Sequence, residues 1–185
     1  ETPKPGDTRM ERSVPTVIGG RFDAMRGAAD EARARRYHVA VLESPVVGES
    51  RIVGPQQIQR MMARGQSLPR PACVISSGET TVTVTGSGLG GRNQELALAS
   101  AEILSSAGGP LALASVGTEG VDGPTDAAGA VVDSTTLARA SAAGLSWNSY
   151  LHNNDSYSFL DILSDLIRTG PTGTNVDDLQ VLLLA

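Results

Sequence analysis

Thr80-Thr81-Val82-Thr83-Val84-Thr85-Gly86-Ser87-Gly88-Leu89-Gly90-Gly91-Arg92-Asn93-Gln94-Glu95 joins a β-branched run to an alanine- and leucine-rich segment. The reading of this stretch decides the fold. Branched side chains suit the pleated surface of a strand. Residues 93–106 have the composition of a helix, closed by Gly108-Gly109. Between them, glycines at 86, 88, 90 and 91 let the backbone turn tightly and approach a ligand; the sequence gives them no evident packing role. The helix start offers unpaired N–H groups and a partial positive charge, a seat for an anion. Arg92 stands at that junction, where a planar cation can grip a phosphate or carboxylate with two bonds. The stretch therefore reads as an anion site; the alternative is a turn followed by an exposed arginine.

Positions 86, 88 and 91 match G-x-G-x-x-G, the dinucleotide fingerprint. A dinucleotide loop, however, follows the first strand of a parallel unit. Here Ser77-Gly78-Glu79 looks like a turn between adjacent strands, an antiparallel hairpin leading into the glycine-rich loop. The polar Arg92-Asn93-Gln94-Glu95 also replaces the small apolar residues usual where such a helix packs on its sheet. A general phosphate or carboxylate site is the better reading. A P-loop is excluded, since no Gly-Lys-Ser or Gly-Lys-Thr occurs.

Upstream, residues 1–13 are polar and proline-bearing, and read as a linker or tail. An α/β domain is then expected over 14–185. Val14–Ile18 reads as a short strand, Phe22–Arg36 as an amphipathic helix and Val39–Leu42 as a buried strand, together a parallel strand–helix–strand unit. Residues 44–54 read as a loop, and Pro55–Ala63 as a helix with proline at its first position. Ala72–Ile75 is the next strand. Downstream, Leu111–Val116 is an all-apolar strand, the kind buried on both faces. Ser134–Ala143 reads as a helix capped by Asp133 or Ser134, Trp147–Leu151 as a short turn, and Tyr157–Leu166 as a helix capped by Asp155 or Ser156. Gln180–Leu184 is a last strand. The fold class is α/β, a mixed β-sheet flanked by helices.

The 185 residues suffice for one sizeable domain or two small ones. With 3% aromatic residues, the core must be built from Ala, Val, Leu and Ile. A net charge of −5 without basic clusters argues against nucleic acid as a partner. Cys73 is the single cysteine, which excludes intrachain disulfides and cysteine-rich zinc sites and fits a reducing, cytoplasmic setting. No apolar run or signal peptide points to a membrane. Lys4 is the only lysine, so the body of the chain holds no catalytic lysine. A start at Glu1 rather than Met suggests a fragment or a processed product. His38 and His152 are isolated, and no G-x-S-x-G elbow supports a serine triad.

Three further polar loops adjoin regular elements, where binding residues usually lie. In Gly117–Asp126, Asp122 and Asp126 stand four apart and could hold magnesium beside a phosphate; otherwise they cap a helix and close a turn. Asn154 and Asp155 precede a helix, an ordinary capping pattern. Thr172, Thr174 and Asn175 could form an anion-binding nest or a solvated turn. Glu79, beside the glycine loop, is a candidate too.

Taken together, Ser77–Thr81, Gly88–Glu95, Gly117–Gly129, Asn153–Ser156 and Thr169–Val176 resemble the MOFRL domain of glycerate 2-kinases. The resemblance covers residues 72–185 and, less distinctively, 1–60. It implies an ATP-dependent kinase that converts D-glycerate to 2-phosphoglycerate with magnesium. Relatives look like two α/β domains with a cleft between them, and older names call some of them hydroxypyruvate reductases. The family's preceding half, with a lysine implicated in catalysis, would be missing from this chain. Within the matched segments, Arg92 is the expected catalytic residue. Glu79, Gly88, Gly90, Gly91, Asn93, Glu95, Thr125, Asn154, Thr172, Thr174 and Asn175 are expected to hold substrate or phosphate, and Asp122 and Asp126 the metal. Small-molecule glycerate, a nucleotide and the N-terminal domain are the implied partners, with a homodimer as a candidate assembly. The sequence departs from the pattern at Glu119, where relatives usually have aspartate, and at Ser77, where they have glycine. An NAD(P)-dependent hydroxypyruvate reductase and a non-catalytic ligand-binding module are the alternatives.

Overall fold

The computed structural model describes residues 3, 4, 6–14 and 16–185. Among these residues, a 3-10 turn, Thr8–Met10, precedes a seven-stranded mixed sheet and six helices. In chain order these are α1 (Arg21–Ala34), β1 (His38–Val41), β2 (Val46–Glu49), α2 (Ser50–Gln66), β3 (Ala72–Thr81) and α3 (Arg92–Ser105). There follow β4 (Leu111–Gly117), β5 (Gly129–Asp133), α4 (Thr136–Ala142), α5 (Trp147–His152), α6 (Ser156–Ile162), β6 (Leu166–Ile167) and β7 (Asp178–Leu184). The strands lie in the order β1-β3-β7-β4-β5-β6. β1 and β2 both pair in parallel with β3, one after the other along the same edge; the remaining pairs are antiparallel.

Side-chain alternation sends the two sheet faces into separate cores. Val74, Leu113, Val132, Leu182 and Leu184 meet Ile58 and Met61 of α2, Leu96 and Leu104 of α3, and Phe159. On the other face Met25, Ala29 and Ala32 of α1 cover Cys73 and Ile75. Each fully buried large aliphatic side chain contributes about 1.5–3 kcal/mol relative to exposure. α3, buried along most of its length, is therefore held by its neighbours more than by intrinsic propensity. No helix among the described residues is long and apolar enough to cross a membrane.

Several expectations are corrected. There is no hairpin at Ser77-Gly78-Glu79: β3 runs straight through it, with Gly78 opposite Asp178 on one side and Val46 on the other. A Cβ on Gly78 would lie 2.2 Å from the Val46 carbonyl oxygen, so the glycine serves strand approach and not a turn. Val14 and residues 16–18 form no strand. Val14 and Ile18 are 86% and 98% exposed, and Pro15 lies outside the described residues, as do Glu1, Thr2 and Pro5 of the expected tail. β1 takes its parallel partner from β3 instead. The 44–54 loop is occupied by β2 and the start of α2, which leaves Pro55 inside the helix. β5 was not expected at all, Trp147–His152 is a helix, and α6 ends at Ile162, short of β6.

Candidate active site

The glycine-rich segment is fixed by the connection between α5 and α6. Asn154, at φ +53, turns that connection through the left-handed region, which asparagine tolerates. Its Oδ1 accepts from the N–H groups of Thr85 (2.8 Å) and Gly86 (2.9 Å). Gly88 N donates to the Asn153 carbonyl at 2.9 Å, and Leu89 N to Asp155 Oδ1 at 3.1 Å. A Cβ at Gly88 would stand 2.3 Å from that of Asp155, and one at Gly91 2.3 Å from Asp122 Cγ. The loop glycines therefore do have a packing role. Glu95, 2% exposed, is gripped by Arg51 through two bonds of 2.8 Å and accepts from Asn154 Nδ2 at 3.1 Å. Asn154 and Glu95 are thus placed as supports of the loop.

The seat at the start of α3 is filled from within the protein. The buried Asp122 carboxylate accepts from Asn93 N at 3.1 Å and from Gln94 N at 2.9 Å. Its pKa is pushed up by burial, against the pull of these amides. Asn93 Oδ1 accepts from Ser115 Oγ at 2.7 Å, while Thr125 Oγ1 accepts from Gln94 Nε2 at 3.0 Å and donates to the Asp122 carbonyl. The expected Asp122–Asp126 metal pair is not formed. Asp126 is turned outward, accepting from Tyr157 Oη at 2.8 Å and Arg168 Nε at 3.0 Å. Among the described residues no group of three His, Cys, Asp or Glu side chains could hold a metal ion. The physical reason is the helix start itself: its orphan amides demand an acceptor, and Asp122 supplies both oxygens.

Arg92 stands over the C-terminal end of β3. Nε and Nη2 form a fork on Asp178, at 2.7 and 2.9 Å, and Nη2 also reaches Glu119 at 3.3 Å. Nη1 lies 3.1 Å from Glu79. The side chains of these three acids are 1%, 29% and 59% exposed, in that order. Burial raises the Asp178 pKa in spite of the fork, and the Asp178 bond holds Arg92 firmly cationic. Beside them opens a cleft of about 560 Å³, walled by Glu79–Val82 and Val84 on one side and Gly90-Gly91-Arg92 on the other. The N–H groups of Gly90 and Gly91 find no acceptor among the described residues.

Of the expected ligand-holding residues, Glu79, Gly90, Gly91 and Arg92 line this cleft. Thr172 ties the 169–177 loop to the 117–120 turn, its Oγ1 donating to Thr118 O at 2.5 Å and its N–H to Glu119 O at 3.0 Å. Thr174 N donates to Thr172 Oγ1 and Asn175 is exposed, so this loop braces Glu119 from behind and is not among the cleft walls. Asp178, Arg51 and Glu49 were not foreseen. Glu49 fixes Thr83 through N–H and hydroxyl at 2.8 Å each. The only signal for Asp178 was a carboxylate opening an apolar strand. Cys73, with its thiol pKa pushed up to about 11 by burial, is inert packing.

Residues 72–178 match the model of the MOFRL family. A D-glycerate 2-kinase of Thermotoga maritima is 42% identical over 171 residues, covering 91% of this chain and 41% of that protein. A protein of Agrobacterium vitis that carries a hydroxypyruvate reductase name is 36% identical over 189 residues, covering 100% of this chain and 42% of its own length. A crystal structure of a Thermotoga maritima glycerate kinase superposes with a TM-score of 0.85 at 40% identity, over 92% of this chain and 42% of that one. The chain spans about two fifths of the length of its curated relatives from Thermotoga maritima, Pyrococcus horikoshii and Agrobacterium vitis, and less of others.

Proposed function

This chain belongs to the MOFRL family, and from that premise we propose that it is the C-terminal part of an ATP-dependent glycerate 2-kinase making 2-phosphoglycerate from D-glycerate. Its own contribution is the anion-holding wall of the active cleft; the preceding half would bring the lysine that this part lacks. The observation that carries the reading is Arg92, held by the Asp178 fork with Nη1 turned to a cleft that Gly90 and Gly91 also line. Phosphoryl transfer is mostly positioning and charge stabilisation. A guanidinium already oriented by Asp178 and Glu119 needs no reorganisation when a phosphate or the glycerate carboxylate arrives. A cytoplasmic enzyme with no nucleic-acid partner, and a homodimer as its candidate assembly, completes the proposal.

Such a transfer brings magnesium with the nucleotide. Asp122 and Asp126 do not fit it, since α3 takes both oxygens of the first while Tyr157 and Arg168 engage the second. We assign no step to a metal held by them. The reductase reading has a relative's name and the G-x-G-x-x-G match in its favour. It needs free amides at the start of α3 for a pyrophosphate, and those of Asn93 and Gln94 are spent on Asp122. The test is to incubate the complete enzyme with D-glycerate and ATP, and separately with hydroxypyruvate and NADH. Formation of 2-phosphoglycerate is expected; NADH oxidation without it would overturn the kinase reading.

A further inference from the structure

We propose that Glu79 is the resident counter-ion of the cleft-facing nitrogen of Arg92 and is exchanged for an incoming phosphate or carboxylate, so that it sets which ligands enter. The inference rests on the anion-holding role given to Arg92 above.

The three acids around Arg92 are not equivalent. Asp178 takes Nε and Nη2 in an aligned fork, is 1% exposed, and is locked in register opposite Gly78. Glu119 takes Nη2 with one oxygen, while its other is buried without a hydrogen-bond partner. Both are held back from solvent, at 1% and 29% side-chain exposure. Glu79 meets Nη1 alone, at 3.1 Å, as an ion pair without hydrogen-bond alignment, and its side chain is 59% exposed. Its backbone is fixed opposite Val47, so departure costs only a side-chain rotation into solvent. Both members of the pair line the 560 Å³ cleft. An exposed pair of this kind is worth little, and a well-placed anion displaces it. A neutral ligand offers Nη1 an acceptor but no compensating charge in exchange. With three carboxylates facing one guanidinium, Glu79 also adds like charge against weak or monodentate anions.

The test is titration of inorganic phosphate into the complete enzyme and into its Glu79→Gln and Arg92→Lys variants, by calorimetry and by the Arg92 Nε–H resonance. Glu79→Gln should bind phosphate about three- to fivefold more tightly, the scale of one exposed ion pair. Arg92→Lys should bind more weakly. Unchanged or weaker binding by Glu79→Gln, with Arg92→Lys still weakened, would overturn the exchange and leave the cleft reading intact. Phosphate affinity indifferent to Arg92→Lys in a folded protein would remove the cleft reading itself. Should Arg92→Lys fail to fold, a phosphate-dependent shift of the Arg92 resonance in the parent decides that arm. No binding by either the parent or Glu79→Gln overturns both.

Discussion

Asp122 closes the first turn of α3 by accepting the Gln94 amide at 2.9 Å across 28 residues of chain. Asp122→Ala should therefore lower stability by about 2 kcal/mol or more, because two buried N–H groups lose their acceptor. For a chain of this size that is roughly a 4–8 °C fall in Tm. Thermal unfolding measures it, and in the complete enzyme the magnesium dependence should stay as in the parent. A shifted magnesium requirement with unchanged Tm would restore the metal-ligand reading.

The same carboxylate carries a pH signature. Burial raises its pKa, so in the window from about 4, the ordinary aspartate value, to its higher folded value, the native state holds the proton more than the unfolded state does. Its contribution to stability is full below that window and is lost as pH rises through it. Asp122→Asn, which does not titrate, should gain ground on the parent as pH rises through that window. Denaturant titrations at a series of pH values check this; a variant that loses ground as pH rises would contradict it.

Arg92→Lys should cut kcat/KM of the complete enzyme by about 10²-fold, or ~2.7 kcal/mol of transition-state stabilisation. The loss falls in kcat if Arg92 grips the transferring phosphate, and in KM for glycerate if it holds the carboxylate. Folding is not spared: lysine cannot reproduce the fork on buried Asp178, and about 1–3 kcal/mol of stability should go with it. Activity within threefold of the parent would reduce Arg92 to a structural ion pair.

Glycine substitutions should separate the packed loop from a free turn. Gly91→Ala puts a Cβ 2.3 Å from Asp122 Cγ and 2.5 Å from its carbonyl carbon, and should cost about 1–3 kcal/mol. Gly109→Ala meets nothing within 4 Å and should be neutral or slightly stabilising. Equal Tm values for the two variants would refute the close packing.

Helical spacing made α1 legible, while composition did so for α3, an alanine- and leucine-rich run closed by glycines, and for β4 and β7, which are apolar runs. Gly78 was misleading for a physical reason: glycine marks turns and close strand approach alike, and only the position of Val46 tells them apart. Pro55 pointed to a helix start, yet Ser50, bonded to Thr80, and Gly54, packed close to Leu96, carry the helix a turn upstream of it. At the site, the sequence picked out Arg92 and the glycines that line the cleft. It could not show that Asp122 and Asp178 supply the anions that helix and arginine demand, since one comes from a distant loop, the other from the start of β7, and both meet their partners only after folding.

β7 lies between β3 and β4, and its pairing of Leu184 with Ala72 joins positions 112 apart (184 − 72). Until that strand arrives, β3 and β4 each present a bare ladder edge lined by apolar residues, open to pairing with another molecule. Such long-range closure makes for slow folding, and a chain that lacks it exposes both edges to aggregation. Yield on refolding should consequently depend on protein concentration far more than on the small terms around the cleft.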